Sequence, residues 1–234
     1  MDTVDKFTVL SQGELTVTGR LVDASNATLY AASSLGSDSI TCIYKPTAGE
    51  RPLWDFQEGN LAHREYAAYL ISEAGNFHVV PLTILRDGPY GYGMVQEWIT
   101  IDESVDLSTY FSLDLPALRR MALFDAVINN TDRKIGHLLP TEAGELLGCD
   151  HGVTFHSQDK LRTVLWQWSG QALTSVEIAQ LESVHGTLND TVDLSPYLTS
   201  EEIAALSARI ESLLSQGVMP TPNPDWPAVP WPAF

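Results

Sequence analysis

Two hydrophobic rhythms divide this 234-residue chain, and the order in which they occur limits its architecture. Residues 14–22 alternate apolar and polar side chains, the pattern of a half-buried strand, and residues 27–32 resume it after a turn over 23–26. Residues 40–45 are rich in strand formers and stop at Pro46, so Lys45 ends a third strand. Two further strands are predicted at 79–86 and 93–99, joined by the turn at 87–92. Before them, Asn60 and Gly75 bracket a helix over 61–74 as cap and terminator. From about Asp106 helical periodicity takes over. It predicts helices at 115–128, 161–168, 175–183 and 199–216, with Asp114 capping the first and Thr199 and Glu202 forming a capping box on the last. A strand half followed by a helix half implies an α+β protein of two lobes with a cleft between them. The lobes are expected at residues 1–98 and 99–218. A proline-rich tail, 219–234, cannot be helical.

At 44% hydrophobic residues the chain can build its core without staples. It has only two cysteines, Cys42 and Cys149, and its first residues lack the basic start and apolar run of a signal peptide. The expectation is a soluble, cytoplasmic protein with no integral membrane association. Thirteen basic against thirty acidic residues give a net charge of −17, which repels nucleic acid and anionic lipid alike, so neither is an expected partner. The few cations are grouped. Arg133 with Lys134, and Lys160 with Arg162, fall near the two loops at 129–140 and 148–152, where an anion could sit.

Those loops carry the chemistry. Phosphoryl transfer from ATP needs a lysine on the phosphates, an acid to hold that lysine, an aspartate beside the nucleophile, and oxygen ligands for a metal. Lys45 on the third strand, Glu65 on the following helix, Asp132 after the long helix and Asp150 in the turn Asp150-His151-Gly152 supply these in order. Strand lysine, helix glutamate, loop aspartate, turn aspartate is the order of the protein-kinase-like fold. Asp132 is followed at two residues by Lys134, and at five by His137, where that fold has a phosphate-binding lysine and a metal-binding asparagine. Strands at 136–140 and 144–148 would form the hairpin between the loops, setting the two carboxylates to face one nucleotide from opposite sides.

The run Phe124 to Arg133, with His63 to Leu70 upstream, resembles the phosphatidylinositol 3- and 4-kinase-related branch, in which a helix runs into Asn-x-Asp-Arg. More closely, residues 13–170 resemble a short actinobacterial family of phosphatidylinositol-kinase-like proteins, through Tyr44-Lys45-Pro46, residues 49–56 and residues 160–166. The resemblance implies a compact two-lobe kinase-like fold and an ATP- and metal-dependent phosphotransferase acting on a hydroxyl of a protein or small molecule. Asp132 and Lys134 would be catalytic, and Lys45 and Glu65 would hold the nucleotide. Ser25 and Asn26 would cover the phosphates in place of a glycine-rich loop, and Glu97 and Trp98 would stand at the adenine-binding hinge. Asp150 and His137 would bind magnesium or manganese. Imidazole in place of an oxygen ligand favours manganese. Ligation through neutral imidazole would make activity fall as pH drops through about 6.5.

Other readings compete. A pseudokinase that binds nucleotide without turnover is motivated by His137, and a kinase-like fold with a reversed nucleotide would transfer AMP. His137, His151 and His156 beside Asp150 could form a zinc site, although their spacing matches no zinc motif. Asp125 interrupts the apolar face of its helix and is expected to brace the catalytic loop. The tail holds six of the thirteen prolines alternating with Trp226, Trp231 and Phe234; it either packs on its own lobe or offers a partner an aromatic strip.

Overall fold

The computed structural model describes residues 5–21, 27–51, 53, 55–56 and 59–234, and of Asn189 the backbone alone. Ser25 and Asn26, expected over the phosphates, lie outside the described residues. A short helix, α1 (Lys6–Gln12), precedes five strands: β1 (Glu14–Arg20), β2 (Leu29–Leu35), β3 (Asp38–Pro46), β4 (Thr83–Gly88) and β5 (Gly91–Glu97). They form one antiparallel sheet in the order β1-β2-β3-β5-β4. Its core, including Leu10, Ala31, Cys42, Tyr44 and Val95, is continuous with α1. The seven residues of α1 are too few to display a helical period, and only Val9 and Leu10 are buried. The Asp5 carboxylate, accepting from the Thr8 amide at 3.0 Å, starts the helix.

Strand β4 begins at Thr83, four residues later than predicted. Pro81 has no N–H to give, and the amides of Val79 and Val80 donate to Ser72 Oγ at 3.0 and 3.3 Å instead of to a ladder. Gly93 allows β5 to approach the end of β3: a Cβ there would lie 2.3 Å from the Lys45 carbonyl oxygen. This close pairing fixes Lys45 at the mouth of the sheet.

Helix α2 (Leu61–Ala74) links β3 to β4, capped by Asn60 as its sequence requires. The second lobe follows: α3 (Leu107–Tyr110), α4 (Pro116–Ile128), the hairpin β6 (Leu138–Pro140) and β7 (Leu146–Gly148), α5 (Ser175–Asp190) and α6 (Ser200–Gln216). Helix α4 is the central one, with every residue from Met121 to Ile128 buried, which accounts for its nearly all-round apolar sequence. Thr199 and Glu202 form the expected capping box on α6. Asp114 does not cap α4. Leu115 occupies that position, and the Asp114 carboxylate instead accepts from Trp168 Nε1 at 2.8 Å.

Residues 161–168 are not helical. Thr163 bridges Arg133 in parallel, the Arg162 amide donates to Asn130 O and the Arg133 amide to Arg162 O, and the Thr163 amide donates to Ala228 O on the other side. The segment is extended because its peptide groups find partners in the loop after α4 and in the tail, both far away in sequence. The tail is non-helical, as expected, and lies against its own lobe through Ala228 and Ala233.

Candidate active site

Helix α2 presents Glu65 on its buried face, and it is held at both ends. Glu50 accepts from the amides of Leu61 and Ala62 at 2.8 and 2.9 Å, placing negative charge on the helix N-terminus. Arg64 pairs with Glu202 of α6, and Ser183 of α5 donates to Ala74 O at 2.7 Å. So fixed, Glu65 spends its two oxygens separately: Oε1 lies 2.7 Å from Lys45 Nζ, and Oε2 accepts from the His151 amide at 2.9 Å. The same Lys45 ammonium also pairs with Asp150.

Asp150 has a φ of 58°, a conformation aspartate tolerates better than most residues, and half of its side chain is accessible. Lys45 holds its carboxyl well below the usual range against the opposing effect of burial, so it is ionised; the open solvent on one side screens part of that effect. Burial works against the Lys45 charge, but Asp150 and then Glu65 outweigh it and raise the pKa. His137 Nε2 stands 3.6 Å from Asp150 Oδ2. Burial, only partly opposed by Asp150, pushes the His137 pKa down to about 4. The ring is therefore neutral near pH 7. With the Lys134 amide directed at Nδ1 (3.4 Å), its proton sits on Nε2, facing Asp150. Ligating an ion through Nε2 requires moving that proton to Nδ1 and giving up this hydrogen bond.

Asp132 follows Asn130, whose Oδ1 accepts the Asp132 amide at 3.0 Å. Two cations flank its carboxylate, Lys134 at 3.5 Å from Oδ2 and Arg162 at 3.8 Å from Oδ1. Burial raises the Asp132 pKa above the ordinary 3.8, with Lys134 and Arg162 opposing. Behind this loop lies a network that sequence reasoning found only in part. Asp125 braces the loop as expected, accepting from Asn130 Nδ2 at 2.9 Å. Its principal partner is Arg133, whose Nε and Nη2 reach it at 2.9–3.1 Å with both side chains fully buried. Arg133 also donates to Cys149 O (3.1 Å) and to His151 Nε2 (2.7 Å), joining α4, the Asp132 loop and the Asp150 turn through one guanidinium. The signal available in the sequence was the charge of Asp125 on an apolar helix face, eight residues before an arginine.

Lys45, Glu65, Asp132, Lys134, His137 and Asp150 thus line one cavity of about 220 Å³. It shares Thr28, Lys45 and Asp150 with a more apolar cavity of about 360 Å³ walled by Ile43, Trp98, Ile101 and Leu139. Glu97 and Trp98 border this second cavity, but their amides are already spent on Leu82 O and Thr41 O, both at 2.9 Å, and the Glu97 side chain pairs with Lys6. The zinc alternative does not assemble. His151 Nε2 is bound by Arg133, His156 Nε2 faces Asp55 O at 3.1 Å, and no group of three or more metal-ligating side chains clusters among the described residues.

This arrangement is that of a two-lobe kinase-like fold, and solved structures agree. The chain aligns with a Helicobacter pylori proinflammatory kinase, CtkA, at a TM-score of 0.50 and 12% identity, over 90% of this chain and 94% of that one. It aligns with the golgi casein kinase at a TM-score of 0.51 and 12% identity, over 92% and 75% respectively. In sequence it is 42% identical to Protein Rv2133c of Mycobacterium tuberculosis, across 98% of this chain and 96% of that protein, and it belongs to the same family. No protein-family model matches the chain. No helix among the described residues is long and apolar enough to cross a membrane.

Proposed function

We propose that this protein transfers the γ-phosphoryl group of ATP to a hydroxyl of a protein or small molecule. The observation that carries the reading is the single cavity in which Lys45, already held by Glu65 and Asp150, shares walls with Asp132 and Lys134. Adenine would enter the apolar cavity. Because the Glu97 and Trp98 amides are spent, a backbone donor to its edge would have to come from Ile99 onward. Lys45 and Lys134 would hold phosphate oxygens, and Asp132 would orient the acceptor hydroxyl and take its proton as oxygen bonds to phosphorus and ADP leaves. An ionised Asp150 suits a magnesium or manganese ion, which supplies positive charge against the phosphates; His137 adjoins it as a nitrogen donor, available only in its other tautomer. Within kinase-like folds, α4 running into Asn129–Arg133 supports kinship with phosphatidylinositol 3- and 4-kinases. That kinship does not define the acceptor.

A second reading, nucleotide binding without turnover, is favoured by His137 standing where an oxygen ligand is expected. Both readings require binding, which thermal denaturation tests. ATP with magnesium or manganese should raise the melting temperature, as a ligand selective for the folded state must, and Asp150→Ala should remove the metal-dependent part of the rise. No shift with ATP or GTP at millimolar concentration and either metal would remove the basis for both.

A further inference from the structure

The tail does not merely cover the second lobe. Asn223 Nδ2 donates to Asp159 O at 3.1 Å, and Ala228 O accepts both the Thr163 amide (3.0 Å) and Trp166 Nε1 (2.8 Å). The Trp226 ring lies beneath the cations of this same stretch, 4.9 Å from Lys160 Nζ and 6.0 Å from the Arg162 guanidinium carbon. The chain then reaches the loop of Asp132 itself: Ala233 O accepts the Ile135 amide at 2.9 Å, and Phe234 packs over Gly136, 3.9 Å from where a Cβ would stand. Ala233 is packed against the main core, whereas Trp231 between these anchors is 92% exposed. Anchored residues thus alternate with exposed ones, and the anchors fall on two segments, 159–166 and 134–136.

Those two segments carry the two cations that flank Asp132. Arg162 comes from one and Lys134 from the other, each nearest a different carboxylate oxygen. Besides the tail, the loop at 134–137 is held by the Cys149 amide on His137 O (3.1 Å), by the Lys134 amide on His137 Nδ1 (3.4 Å) and by the Ile135 side chain buried in the main core. It is a single 3-10 turn, and the Ile135 amide sits at its first position, where no partner within the turn is available. We propose that residues 226–234 are a positioning element for phosphotransfer, holding Lys134 and Arg162 in place around Asp132 from outside the cavity. This rests on the phosphotransfer reading for its effect on rate, and on geometry alone for its effect on the loop.

The test compares the full chain with one ending at Pro230, which keeps the Ala228 anchor and loses the Ala233 anchor. Amide hydrogen exchange is read first. Ile135 should exchange faster in the shortened chain, while Thr163, still bonded to Ala228, should not change. Turnover of γ-labelled ATP should then fall about tenfold or more, a loss that small displacements at a reacting centre produce, with the number of ATP molecules bound per chain at saturation unchanged. Unchanged stoichiometry separates this from a smaller folded fraction. Should the shortened chain not fold, Trp226→Ala in the full-length protein loosens the other anchor and should lower turnover in the same way. Equal exchange at Ile135 in both chains, or equal turnover despite faster exchange, would overturn the proposal. Absence of turnover in the full chain would instead overturn the phosphotransfer reading, leaving exchange to decide whether the tail holds the loop.

Discussion

Lys45 Nζ lies 2.7 Å from Glu65 Oε1, an ion pair between the end of a strand and the buried face of a helix that is fastened to the other lobe. In a kinase-like fold this pair has to be made before phosphates can be held. Glu65→Gln keeps the shape but loses the charge and weakens the acceptor to the His151 amide. The expected outcome is a stability loss of about 1–3 kcal/mol in urea denaturation and a weaker ATP affinity by calorimetry. A variant that binds ATP as tightly as the parent would remove Glu65 from the site.

The Asp125–Arg133 pair is fully buried and should be the most costly contact to break from one side. Asp125→Ala strands a buried guanidinium and should cost about 3–5 kcal/mol. Asp125→Leu combined with Arg133→Met removes both charges and should recover much of that loss while turnover stays low, because the link from α4 to the Asp150 turn is gone. Denaturation and turnover measured on both variants separate the stabilising role from the positioning one.

These residues mark how far the sequence could be read. Caps made α2 and α6 legible, because Asn60, Gly75 and the Thr199–Glu202 box act within four residues of where they stand. Lys45, Glu65, Asp132 and Asp150 were legible as an ordered set, and the structure brings them to one cavity. What failed was long-range. Residues 161–168 have an apolar content that suits a helix, but their peptide groups pair with Asn130, Arg133 and Ala228, which no local pattern encodes. The burial of Arg133 was likewise hidden, since an arginine beside a loop aspartate is ordinarily solvated.

His137 gives a pH dependence displaced from the one its ordinary pKa suggests. Folded, it titrates at about 4; unfolded, at about 6.5. As pH falls through this window the unfolded chain takes up a proton that the folded chain refuses, so stability of the metal-free protein falls with pH between those values. His137→Asn should reduce the slope by at most one proton, because His151, also held well below the usual value by burial, contributes in the same direction. Activity should show no acid limb at 6.5. It should instead decline lower, as Asp132, raised above the ordinary carboxylate value by burial, takes up its proton. A limb at 6.5 that His137→Asn abolishes would contradict this.

Manganese discriminates between the two roles of His137. If the ring ligates an ion, manganese should outperform magnesium, and His137→Asn should move the preference toward magnesium. If it only stands beside Asp150, with Nε2 3.6 Å from Oδ2, then His137→Asn and His137→Ala should leave the preference unchanged. Turnover at matched concentrations of the two metals distinguishes them.

The central claim is that Asp132 serves phosphoryl transfer from ATP. ATP labelled on the α- or the γ-phosphate, incubated with the protein and magnesium or manganese, tests it most directly. The account predicts transfer of the γ label alone, to the protein or to an added alcohol, falling by about a hundredfold or more in Asp132→Asn while ATP binding persists. Transfer of the α label would mean AMP transfer on the same fold. Transfer of neither label, with ATP bound, would mean a binding protein, and γ transfer undiminished in Asp132→Asn would contradict the role given to that residue.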